Sequence, residues 1–235
     1  MVWVLSAVVL VPLATGTLVV HHRLLGGVTR LDGAFAGLDH RPAEGAPGAL
    51  DVMLVGVRRG EAATGTYGDL PLPWVGGARL EGVSLVHLAA DRRSAAVVTI
   101  PLTARIQLAM AGPRPSSAVE AVESLTDVRV DHVAVVDWTA LDALAADNGA
   151  PGLEPAVGRA GARAREQVDF LRHLAENTLH AEMRKQPWLV FQALDTVTDG
   201  LALDDEWSTW ELTILGVSLR DLRSGDISFD VAAVS

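Results

Sequence analysis

The chain has 235 residues, a formal net charge of −10 and no cysteine. Its length suits one domain with a sizeable core. The acidic balance argues against nucleic-acid binding, which needs a basic patch to meet phosphates. The lack of Cys excludes disulfides, thiolate metal sites and Cys catalysis.

Residues 1–20, MVWVLSAVVLVPLATGTLVV, carry no charge. At about 1.5 Å per residue, some 20 apolar residues cross the roughly 30 Å hydrocarbon core, and the single Pro12 is tolerable there. The segment reads first as one transmembrane helix over 1–23. The second reading is a cleaved signal peptide with small residues at Ala14-Thr15-Gly16. Both readings expect a positive leader that does not precede the segment here, so either the start lies upstream or the anchor is unusual. The first cation is Arg23, and by the positive-inside rule alone it places the next domain in the cytoplasm. Residues 24–49, which include RPAEGAPGA at 41–49, read as a juxtamembrane stalk and linker, with the folded domain over 50–235.

Short β-branched runs at 49–57 (ALDVMLVGV), 83–89 (VSLVHLA), 95–101 (AAVVTIP), 130–137 (VDHVAVVD) and 226–234 (DISFDVAAV) have strand length. Residues 58–82 form a Gly/Pro-rich loop leading into a strand, and 148–161 form a short linker. SSAVEAVESL (116–125) carries a capping box from Ser117 to Glu120, and WTALDALAADNG (138–149) ends on the helix stop Asn148-Gly149. A long helix is expected from Arg159 to about Lys185, a second from Trp188 to Asp199, and a third opening on the capping box Ser208 to Glu211. Strands interleaved with helices predict an α/β fold, a three-layer α-β-α domain with a mixed central sheet. No P-loop, dinucleotide glycine fingerprint, GxSxG elbow or HExxH is present.

Taken in order, VTRLDGAFAGLDHRPA, ALDVMLVGV, ARLEGVSLVHLAADRRSAAVVTIP, VRVDHVAVVDWTAL, ARAREQVDFLRHL and SGDISFDVAAV resemble the LytR-CpsA-Psr (LCP) cell-envelope family from about Val28 onward. The resemblance implies a single membrane anchor with the domain outside the cell. It also implies transfer of a phosphoglycan from a polyprenyl diphosphate carrier to peptidoglycan, with a divalent metal such as Mg2+. This topology outweighs the cationic flank at Arg23. In such a site several Arg forks grip phosphate oxygens while a carboxylate places the metal.

Against that pattern the working positions are altered. Gly56-Val57-Arg58-Arg59-Gly60 stands where the family has Gly-Ser-Asp-Ser-Arg, which reverses a charge. Arg79-Leu80-Glu81-Gly82 stands where it has Arg-Ser-Asp-Thr and keeps the Arg and a carboxylate. Leu102-Thr103 replaces Arg-Asp, with Arg105 two residues on. Arg163 and Gln167 match the family helix, while Glu166 falls where a basic residue is usual. A hairpin with a Tyr-Val-Arg-x-Arg stretch is replaced by the linker at 148–161, and a Lys-Ile-Asn region is missing before Ser117. The candidate catalytic residues are Arg79 and Glu81, the candidate diphosphate ligands Arg79, Arg105 and Arg163, and the candidate Mg2+ ligand Glu81.

Each candidate has a plainer reading. Arg79 with Glu81 also suits a solvated pair, and Arg159, Arg163, Arg165 and Glu166 a solvated helix start. Arg58-Arg59 suits either an anion or a solvated turn. His173, Glu176 and His180 share a helical face that fits a metal or only water. His87 and Asp131-His132 fit sheet-surface or hydrogen-bonded positions. Trp188, Trp207 and Trp210 either pack the helical layer or form a partner-binding patch. The expected function is that of a membrane-anchored LCP-like protein of cell-envelope assembly, catalytically impaired and acting by binding a polyprenyl-diphosphate-linked glycan or another assembly protein. The alternatives are an active divergent phosphotransferase and a structural subunit of a membrane complex.

Overall fold

The computed structural model describes residues 28–59, 70–147, 160–178, 201–219 and 222–233. Eight strands form one mixed sheet: β1 (Thr29–Leu31), β2 (Leu50–Arg58), β3 (Pro71–Leu72), β4 (Ala78–Leu88), β5 (Ala95–Ile100), β6 (His132–Asp137), β7 (Ala202–Asp204) and β8 (Ile227–Val231). The order is β1-β7-β6-β2-β4-β5-β8, and β3 pairs with β4. β2 lies parallel to β6, β5 to β8 and β1 to β7, whereas β4 runs antiparallel to both β2 and β5.

The central strands β2, β4 and β6 are buried on both faces, so they read as near-continuous apolar runs. Met53, Val55 and Val57 of β2 face the core with Leu85, Val83, Val133 and Val135. Full burial of each such side chain contributes roughly 1.5–3 kcal/mol. α1 (Ala104–Met110) and α2 (Pro115–Thr126) cover this face through Ile106, Met110, Val119 and Val122. The opposite face is covered by α3 (Trp138–Asp147), α4 (Ala160–Thr178) and α5 (Thr209–Ser218), through Trp138, Leu141, Phe170, Leu174, Leu212 and Leu215. Three layers result, as the alternation of elements predicts.

Several elements differ from the sequence expectation. Residues 104–110 form α1, a helix that the sequence runs above do not mark; Thr103 is its N-cap, with no side-chain bond. α2 starts at Pro115, so Ser117 lies inside the helix and its capping box is unused. Pro at the first helical turn presets φ and loses no needed N–H. The expected stalk joins the domain: β1 pairs with β7, Leu31 and Ala34 are core, and Arg41 binds the buried Glu123 at 2.7 Å. The Asp91-Arg92-Arg93 turn closes the β4–β5 hairpin, with Arg92 at φ 58° and its guanidinium on the Ala89 carbonyl at 2.9 Å. The capping box of α5 also forms, with Ser208 N–H on Glu211 Oε2 at 2.9 Å and Glu211 N–H on Ser208 Oγ at 3.2 Å.

No helix among the described residues is long and apolar enough to cross a membrane. The expected anchor at 1–23, the helix at 188–199 and most of the linker at 148–161 lie outside the described residues.

Candidate functional site

The carboxyl ends of β2, β5 and β6 and the amino end of β4 meet at one edge of the sheet. There the β2–β4 register slips: Gly56 faces Gly82 while Val57 faces Leu80, leaving Glu81 as the extra residue of a bulge. A bulge re-aims the side chain it carries. Beyond it Arg58 and Arg79 sit directly across from each other, a like-charge pair that is unfavourable without a counter-ion.

Glu81 is that counter-ion. It is 1% exposed, and its carboxylate accepts four N–H groups from three arginines. Oε1 accepts Arg58 Nε at 3.3 Å and Arg79 Nε and Nη2 at 2.9 and 2.7 Å. Oε2 accepts Arg163 Nη2, from α4. Arg163 Nε and Gln167 Nε2 donate to the Glu81 carbonyl, the former at 3.1 Å. Arg58, 8% exposed, also reaches Asp142 Oδ2 on α3 at 3.1 Å. Burial holds the Arg163 guanidinium below its ordinary value despite the opposing pull of Glu81, yet an arginine stays charged at any physiological pH.

The helices can come this close because the paired glycines have no side chains. A Cβ on Gly82 would lie 2.8 Å from both amide atoms of Gln167, and one on Gly56 would run into the Trp138 ring. Trp138 in turn packs on Phe170 with ring centroids 5.6 Å apart, and its buried indole N–H has no partner among the described residues. Leaving such a donor unpaired costs about 1–3 kcal/mol.

Of the residues singled out from sequence, Arg79, Glu81, Arg163 and Gln167 are brought together. Arg105 is not: its exposed guanidinium donates to Ser124 Oγ on α2 at 3.0 Å. Leu102 and Thr103 add no charge at the carboxyl end of β5. Arg58 joins the cluster, although the sequence left it as either an anion holder or a solvated turn. The available signal was its position on the same strand face as Gly56, closing a buried strand. Arg59 is exposed. His173 bonds back to the Asp169 carbonyl at 2.7 Å, and His180 lies outside the described residues. His87 pairs with Asp51 at 2.9 Å and His132 with Asp204 at 3.2 Å, as hydrogen-bonded sheet positions should.

The fold that carries this arrangement is shared with solved proteins. The chain is similar to a LytR-Csp2A-Psr enzyme from Actinomyces oris, at 13% identity and TM-score 0.57, over 87% of this chain and 86% of that one. The chain has the LytR-CpsA-Psr fold. TagV from B. subtilis shares this LCP fold at 11% identity and TM-score 0.54, over 81% and 87% of the two chains. TagT, solved bound to LIIa-WTA, shares it at 14% identity and TM-score 0.52, over 83% and 85%. No family model and no curated protein matches the sequence.

The Mg2+ implied by the LCP resemblance does not fit the cluster. Both oxygens of Glu81 already accept guanidinium N–H groups, and Asp142 pairs with Arg58. Three guanidinium charges around one carboxylate repel a divalent cation. No group of three or more His, Asp or Glu side chains able to hold a metal occurs among the described residues.

Proposed function

We propose that this LCP-fold chain is a membrane-anchored accessory protein of cell-envelope glycopolymer assembly, with its domain outside the cytoplasmic membrane. It binds a polyprenyl-linked glycan or another assembly protein without transferring the glycan. The observation that carries this reading is Glu81 inside the grip of Arg58, Arg79 and Arg163. Guanidinium forks match a phosphate as well as a carboxylate, so Glu81 stands as an internal anion where a ligand phosphate would be held. An incoming diphosphate has to displace it. In-line phosphoryl transfer relies on positioning and charge neutralisation, and the cations for that task are already neutralised by the protein itself.

A divergent active phosphotransferase is the second reading, favoured by the convergence of Arg79, Glu81, Arg163 and Gln167 from separate elements. The full chain in detergent with Mg2+ and a polyprenyl diphosphate-linked glycan separates the two. No turnover is expected. Robust turnover that disappears in Arg79→Ala would overturn the accessory reading.

A further inference from the structure

α5 has an unusual surface. Its sequence, TWELTILGVS, contains one charged residue, Glu211. On the inner side, Leu212 and Leu215 pack on Val52, Ala134, Leu203 and Trp207. On the outer side, Trp210 is 69% and Ile214 50% exposed, and at a spacing of four they lie side by side. A helix apolar on both sides is normally covered on both.

The chain enters the domain beside this helix. Val28 packs in the same cluster as Leu212 and Leu215, and Arg30 Nη2 bonds Thr209 Oγ1 at the first turn of α5 at 3.3 Å. Only residues 21–27 separate Val28 from the uncharged run at 1–20. Seven residues reach at most about 25 Å when fully extended. If that run spans a bilayer, α5 is tethered within reach of its surface.

We infer that the outer face of α5, built on Trp210 and Ile214, rests in the headgroup–acyl boundary of the membrane that holds the N-terminal segment. This inference rests on the anchor reading above. Trp suits that boundary because its ring is apolar and its N–H is polar. The exposed acids Asp205, Glu206 and Glu211 flank the patch, so anionic headgroups are disfavoured and apolar insertion into a zwitterionic surface drives the contact. The contact orients the domain with its β1–β7 edge toward the bilayer.

The chain lacks cysteine, so Ile214→Cys, Leu108→Cys and Leu10→Cys each give one labelling site in the full protein. Leu108, 64% exposed on α1, reports the layer across the sheet. Each variant is labelled with a fluorophore in phosphatidylcholine vesicles and quenched by nitroxide lipid or by iodide. The Ile214 label is expected to be quenched several-fold more by the lipid than the Leu108 label, and less by iodide. Equal behaviour of the two labels, with the Leu10 label quenched by lipid, would leave the anchor standing and sink the α5 surface. A Leu10 label out of reach of the lipid quencher would overturn the anchor and this surface together. An Ile214 label shielded from both quenchers would assign the face to protein, either a second copy or residues 179–200, and overturn the proposal.

Discussion

Four carboxylates are buried among the described residues: Asp51, which takes His87, and Glu123, Asp204 and Glu81, which are held in two different ways. Glu123 on α2 takes Arg41 and the Val130 N–H at 2.9 Å. Asp204 on β7 takes His132 and the Val133 N–H at 2.8 Å, while His132 stacks on Trp207 at 4.3 Å. Each combines one side chain with one backbone donor and ties two elements together. Glu81 differs: its carboxylate accepts four guanidinium N–H groups, from three arginines on three elements. The first arrangement is sufficient to bury an acid. The second gathers more positive charge than the other buried acids do, and this sets the Glu81 cluster apart from the pairs elsewhere in the domain.

The sharpest way to break the comparison is to neutralise the acids one at a time. Glu81→Gln leaves buried guanidinium groups facing an amide, and breaking a buried pair of this kind costs about 3–5 kcal/mol. Denaturant unfolding measures that loss. Inorganic pyrophosphate is expected to raise the Tm of Glu81→Gln and leave that of Glu123→Gln unchanged. Equal responses would reduce Glu81 to one more structural pair.

The next largest effect tests how closely the helical layer sits at this edge. Gly56→Ala drives a methyl into Trp138, and such overpacking costs about 1–3 kcal/mol. A loss under about 0.5 kcal/mol would show that the ring gives way freely.

An exposed carboxylate provides a surface reference. Glu211 is held below its ordinary 4.5, first by the Ser208 hydroxyl and then by the Ser208 backbone N–H. A depressed carboxyl contributes stability above its unfolded value and loses it as pH falls through the lower folded value. Ser208→Ala is therefore expected to cost about 1 kcal/mol near neutrality and to flatten the acid limb of stability below about pH 4.5. An unchanged acid limb would count against the cap.

Arg105→Ala should be nearly silent, under about 0.5 kcal/mol, because its bond to Ser124 is exposed. A large loss of ligand binding in this variant would return Arg105 to the site.

The contrast between Arg105 and Arg58 shows what could be read in advance. Both flank the carboxyl end of an apolar strand. The sequence points Arg105 toward the site and leaves Arg58 open, because it gives a position along a strand and not which residue faces it across the sheet. The bulge at Gly56/Val57 and the Arg58–Arg79 pairing depend on register, which is set by packing over the whole face. The Ser117 capping box failed for a local reason, since Pro115 starts the helix earlier. The Ser208 box held because nothing upstream competed with it.

Legible in the residues alone are the apolar strand runs, the α/β alternation and the cap of α5. Each follows from side-chain periodicity or from contacts within a few residues. Packing of the layers is what closes Arg58, Arg79 and Arg163 on Glu81, brings β1 into the sheet and keeps Trp210 of α5 outside. Those outcomes bring together residues up to about 180 positions apart, as Arg30 and Thr209 are. Contacts of that range are fixed by which faces bury together, a property of the assembled layers and not of any local stretch.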